Sequence, residues 1–171
     1  MTSLEERREL LQHLQWADAS VWSGVLALGT PLDERLKGWL HHIHLVQRAF
    51  AHIWEGREVE MSEPGEFEDA ASLLVWGQGA HRKLTTFLET VDEEALGQEL
   101  AIPWTEQLTE RFNQPISPVT LGQTMFQVVQ HSTHHRGQVC SRLRELGGEP
   151  PMVDYILWNW LGQPEPQWPD P

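Results

Sequence analysis

Apolar residues recur at helical spacing along most of the chain, and no segment alternates apolar and polar positions long enough for a secure strand. Leu11, Leu14, Val21, Trp22 and Val25 share one stripe, which predicts a first helix from about Ser3 to Leu28. Ser3 stands three residues ahead of Glu6, the spacing of a capping box, and Gly29, Thr30 and Pro31 close the segment. A second helix is predicted from Asp33 to Glu55, then a polar loop around Glu58–Glu66, then a third helix from Phe67 to Thr90. The stretch from Asp92 to Pro118 carries Pro103, Pro115 and Pro118 and has no helical period; a small hairpin is expected around Leu100–Thr105. The fourth helix runs from Thr120 to the Gly147-Gly148 pair, and a short helix over Asp154–Leu161 precedes a Pro-rich tail. These elements predict one all-α domain over residues 1–171. Its expected form is an up-and-down-like four-helix bundle, with a long connection between helices 3 and 4 and a short C-terminal helix.

Composition narrows the function classes. With 40% apolar residues over 171 positions, the chain can bury a sizeable core. Trp16, Trp22, Trp39, Trp54 and Trp76 fall inside helical patterns and read as packing residues. No apolar run reaches the ~18 residues of a membrane span, and the start MTSLEERREL lacks the layout of a signal peptide. The one cysteine, Cys140, allows no intrachain disulfide, so a cytoplasmic setting is expected. A net charge of −13 argues against a nucleic-acid partner, since Arg136, Arg142 and Arg144 form the only notable basic group. Glu-x-x-His, HExxH and P-loop signatures are absent, which disfavours di-iron carboxylate, zincin and nucleotide chemistry.

The nine histidines sort by helical face. His131 and His135 are spaced i, i+4, about 40° apart, so two imidazoles project from one face and can reach one ion. The same spacing also arises by chance among surface histidines. The pair lies beside the stripe of Leu121, Val128, Val139 and Leu146, while His134 points further out. On the second helix Lys37, Arg48 and Glu55 share an arc with His41, His44 and His52, whereas His42 falls among Trp39, Ile43, Val46, Phe50 and Ile53. A histidine there needs a metal, carbonyl or carboxylate, because an unsatisfied buried polar group costs about 1–3 kcal/mol. Asp18 interrupts the stripe of the first helix and must likewise find a cation or donors. It could ligate metal, support a ligating histidine, or pair with an arginine such as Arg142. Gln138 lies near the His131/His135 face and could bond a ligand or substrate, or simply be solvated. Cys140, about 100° from that face, reads as core. His44 and His81 receive no role at this level.

The run His131-x-x-His134-His135-Arg136-Gly137-Gln138, then Leu143-Arg144-x-x-Gly147 and Pro150 to Asp154, together with LHHIHLVQRAF earlier, resembles the DinB-like family. Gln47 stands where that family usually has glutamate. The resemblance implies a four-helix metalloprotein in which His42, His131 and His135 bind one divalent transition metal, zinc or nickel, in chains that are often homodimers. It also implies kinship with bacillithiol- or mycothiol-dependent transferases. The leading expectation is a metal-dependent S-transferase acting on a small-molecule thiol and an electrophile. A metal-dependent hydrolase, with Asp18 orienting the water, and a non-catalytic metal-stabilised binding or dimerisation module are the alternatives. Mid-helix Gly137 is expected to permit close helix contact beside the ligands. The 92–118 connection and the tail are expected to frame the entrance to the metal.

Overall fold

The structure is a computed structural model that describes residues 3–171. Its helices are α1 Leu4–Leu26, α2 Glu34–Trp54, α3 Ala70–Thr90, α4 Thr105–Phe112, α5 Leu121–Glu145 and α6 Tyr155–Trp160. The fold is all-α apart from two short strands, β1 Glu99–Leu100 and β2 Val119–Thr120. Four long helices form the body: α2 packs against α3 and α5, and α1 packs against α5 and α3. No helix among the described residues is long and apolar enough to cross a membrane.

Side-chain caps set where the helices begin. Ser3 Oγ accepts from the Glu6 N–H while the Glu6 carboxylate accepts from the Ser3 N–H, the expected capping box. Asp33 caps α2 through the Leu36 N–H, and Thr120 and Gln123 form a reciprocal cap on α5. The third helix starts later than predicted, at Ala70, because Asp69 accepts from the Ser72 N–H and Phe67 is extended after a 3-10 turn at Pro64–Glu66.

The 92–118 connection is more ordered than its prolines suggest. No hairpin forms within Leu100–Thr105. Instead β1 pairs antiparallel with β2, Glu99 opposite Thr120 and Leu100 opposite Val119, so the pairing closes the base of an arm spanning 101–118. The arm carries α4, an unforeseen helix whose apolar signal is only Leu108 and Phe112 at i, i+4.

The core divides into two apolar clusters. Leu14, Phe50, Trp54, Leu84 and Met125 belong to one, and Val21, Ile43, Leu74, Val139 and Leu143 to the other. Between them every long helix contributes buried polar side chains: Asp18 from α1, His44 and Gln47 from α2, His81 from α3, Ser132 and Arg136 from α5.

Several expectations need correction. His41, His44 and His52 are buried, not part of a solvated arc, and His42 is the half-buried one. The reason is coverage. The supposed polar side of α2 faces α3 and residues 57–67: His41 stacks on Trp76 and bonds Ser62, and His52 bonds the Glu58 carbonyl. Leu146 is exposed because α5 has ended before it. Gly137 meets no neighbouring helix, so close packing does not explain it. The tail does not frame the α2–α5 face either. The Val153 carbonyl, just ahead of α6, accepts from His13 Nε2 of α1, and Trp168 of the tail packs on His81 of α3, so the C-terminal segment lies over the α1–α3 side.

Candidate metal centre

α2 and α5 bring His42, His131 and His135 together, so that one ring nitrogen of each lies within 4.8 Å of the others. Ring centroids are 4.8 Å apart for His42–His131, 4.6 Å for His42–His135 and 4.4 Å for His131–His135. The Nε2 atoms of His42 and His131 face each other at 3.1 Å. Two nitrogens bound tetrahedrally to one ion at zinc distances would lie about 3.3 Å apart, so this gap fits two ligands of one cation.

Electrostatics favour the ligating form. Burial, then the neighbouring His135 and His42, pushes the His131 pKa down to about 4, and burial together with His135 lowers that of His42. Both are therefore neutral imidazoles at neutral pH, the form that binds metals. His135 Nδ1 donates to Gln138 Oε1 at 2.6 Å, which leaves its Nε2 lone pair free. His131 Nδ1 is buried without a hydrogen-bond partner among the described residues. Neither a carboxylate nor a fourth histidine joins the group among those residues. All three rings are half-buried, which places the cluster at the rim of the core. His134 is exposed beside His135, their centroids 4.9 Å apart.

A second cluster, Asp18, His44 and His81, is equally compact but already satisfied. Trp22 Nε1 donates to His44 Nε2 at 2.8 Å, and His44 Nδ1 donates to Gln47 Oε1 at 2.8 Å, so neither ring nitrogen of His44 has a lone pair to spare. Gln47 Nε2 donates to Asp18 Oδ2 at 2.7 Å and to Ser132 Oγ at 3.1 Å. Asp18 also receives His81 Nε2 at 3.0 Å and Arg136 Nη1 at 2.8 Å. Burial alone would raise the Asp18 pKa, but the His81 hydrogen bond and the Arg136 charge outweigh it and hold the carboxyl well below the usual range. Burial pushes His44 down to about 4, consistent with an acceptor for the indole. With Arg136 already supplying the cation, this is a structural ion-pair layer. Asp18 hydrogen-bonds none of His42, His131 or His135, and its arginine partner is Arg136, since Arg142 pairs with Asp33 at 2.6 Å.

The layer depends on a glycine that sequence reading passed over. A Cβ at Gly77 would lie 2.5 Å from Cδ2 of the His44 ring, which Trp22 and Gln47 hold in place. Gly77→Ala is therefore expected to destabilise the protein by about 2–3 kcal/mol, read as a shift in urea midpoint. An unchanged midpoint would mean that the His44 ring is free to move aside.

Cys140 is buried, and burial raises its thiol pKa, so it is a poor nucleophile, as its place off the histidine face suggested. None of the curated proteins matches the chain. The model of the DinB family matches residues 33–167, a span that takes in α2, the arm, α5 and all three clustered histidines, and the chain belongs to that family.

Proposed function

We propose that the protein is a metal-dependent enzyme of the thiol S-transferase type, with His42, His131 and His135 holding one zinc or nickel ion. The observation that carries this reading is the half-exposed trio of imidazoles with no fourth protein donor in its group among the described residues. Three protein ligands leave a coordination position for an outside molecule, the arrangement of catalytic sites as opposed to closed structural ones. Imidazole donors suit zinc and nickel. Bound there, the ion would lower the pKa of a small thiol such as bacillithiol or mycothiol, favouring the nucleophilic thiolate.

The chain's own residues supply rigidity and orientation. Gln138 holds the His135 ring. Ser132 and Arg136 each follow a metal-facing histidine and are tied to Gln47 and Asp18 in the buried layer. Their bonds fix the rotation of α5 and so the aim of His131 and His135, the support that a preorganised site needs. In the transfer, sulfur bonds to the electrophilic carbon, the leaving group departs with its electron pair, and the thiol proton passes to solvent.

Elemental analysis of purified protein, followed by a screen of small thiols against electrophiles with and without chelator, tests the reading. One equivalent of zinc or nickel and chelator-sensitive thiol consumption are expected. Chelator-sensitive cleavage without thiol consumption would instead indicate hydrolysis, and protein that takes up no metal would overturn the proposal.

A further inference from the structure

A cavity of about 830 Å³ lies between the 101–118 arm and the α2–α5 pair. Its size falls within the range of small-molecule sites, roughly 300–1,000 Å³. The walls are largely apolar: Phe50 and Trp104 meet edge to face at 5.8 Å, and Ile102, Leu108 and Ile116 come from the arm. Gln123 and Gln127 of α5 supply amides along one side, and Glu99 is the one charged side chain of the lining.

The position of the cavity along the α2–α5 groove is the informative feature. At one end of the groove Trp54 Nε1 of α2 donates to Thr124 Oγ1 of α5, and further along His42 faces His131. Phe50 and Gln127, both lining the cavity, lie between those two rungs in sequence on their respective helices. Gln127 precedes His131 by four residues, so His131 stands about one turn, a rise of about 6 Å, further along α5 than the cavity wall.

We propose that this cavity seats the apolar, aromatic body of an uncharged electrophilic substrate, whose reacting end extends along the groove to the His42–His131–His135 cluster. The inference rests on the metal-enzyme reading above for the reacting end, and on the cavity alone for the body. Charge selects the class: an anionic body would meet Glu99 in an otherwise apolar lining, on a chain of net charge −13. The Phe50 and Trp104 rings offer an aromatic partner faces and edges, and the glutamine amides suit a neutral polar substituent.

Two probes test the two parts. N-phenyl-1-naphthylamine, neutral and fluorescent in apolar surroundings, should bind chelator-treated protein. Gln127→Trp, at an exposed position that a larger ring would fill, should weaken it at least about tenfold. Leu108→Glu, on the arm and away from the main core, should do the same, with far-UV circular dichroism confirming that both variants fold. No binding, or binding unchanged in both variants, overturns the proposal. The second probe is 4-phenylbutane-1-thiol, whose four-carbon linker spans about one helical turn. It should bind zinc-loaded protein at least about tenfold more tightly than chelated protein, and lose affinity in Gln127→Trp. Zinc uptake without that gain overturns the shared site alone. Failure to take up zinc overturns both this inference and the metal-enzyme reading, even where the first probe still binds.

Discussion

Asp18→Ala is expected to cost about 3–5 kcal/mol of folding stability, a large share of the roughly 5–15 kcal/mol that a domain has. The carboxylate accepts from Arg136, His81 and Gln47 inside the core, so its removal leaves a buried guanidinium unpaired. Urea unfolding followed by circular dichroism at neutral pH measures the loss, and a change under about 1 kcal/mol would mean that water reaches Arg136. The pH dependence carries a definite sign. Because the folded pKa of Asp18 lies below its ordinary 3.8, its contribution is complete above that value, declines as acid protonates the unfolded carboxyl, and is lost once the native carboxylate protonates as well. The gap between wild type and Asp18→Ala should therefore be constant through neutral pH and narrow below about pH 4. Asp18→Leu combined with Arg136→Met should recover much of the loss, since replacing both charges leaves neither stranded.

His135→Ala should do the opposite: little to the fold and much to the site. Changing a residue that merely supports a ligand typically costs 10–100-fold in metal affinity, so loss of a ligand should exceed about 100-fold. Any chelator-sensitive turnover should vanish with it. His135 is half-buried at the rim and bonds only Gln138, so the urea midpoint of the chelated variant should match that of chelated wild type within about 0.5 kcal/mol. His134→Ala, at the exposed neighbouring position, should leave metal affinity unchanged. If chelated His135→Ala unfolds while chelated wild type does not, the ring is part of the fold and the proposed division of labour fails.

The long helices and their caps were legible because apolar period and capping residues reinforce each other over many turns, as at Ser3/Glu6 and Asp33. The pairing of His131 with His135 was also within reach, since i, i+4 spacing fixes the two rings on one face, whereas His42 was singled out for an apolar setting that it does not have, being half-buried beside them. What α2 touches was not. A helical wheel assumes one apolar face and one wet face, whereas α2 is enclosed by α3, α5 and the 57–67 segment, which buries His41, His44 and His52. Asp18 stood out as an anomaly, yet choosing Arg136 over Arg142 requires knowing how α1 rotates against α5. The β1–β2 pairing eluded the sequence because two-residue strands carry no period, and their partners lie 19 and 21 residues apart by their numbers.

The amide at position 47 has an evolutionary consequence. Gln47 Nε2 donates both to Asp18 and to Ser132, a task that glutamate has no proton to perform when ionised. Two carboxylates would then share one buried pocket, and one of them would have to stay protonated. Positions 18 and 47 should accordingly covary among relatives, glutamate at 47 accompanying a neutral residue at 18. An aligned set in which the two vary independently would show that the pocket tolerates a second acid. Along such a lineage neither substitution is neutral by itself, so the order in which they arise is constrained.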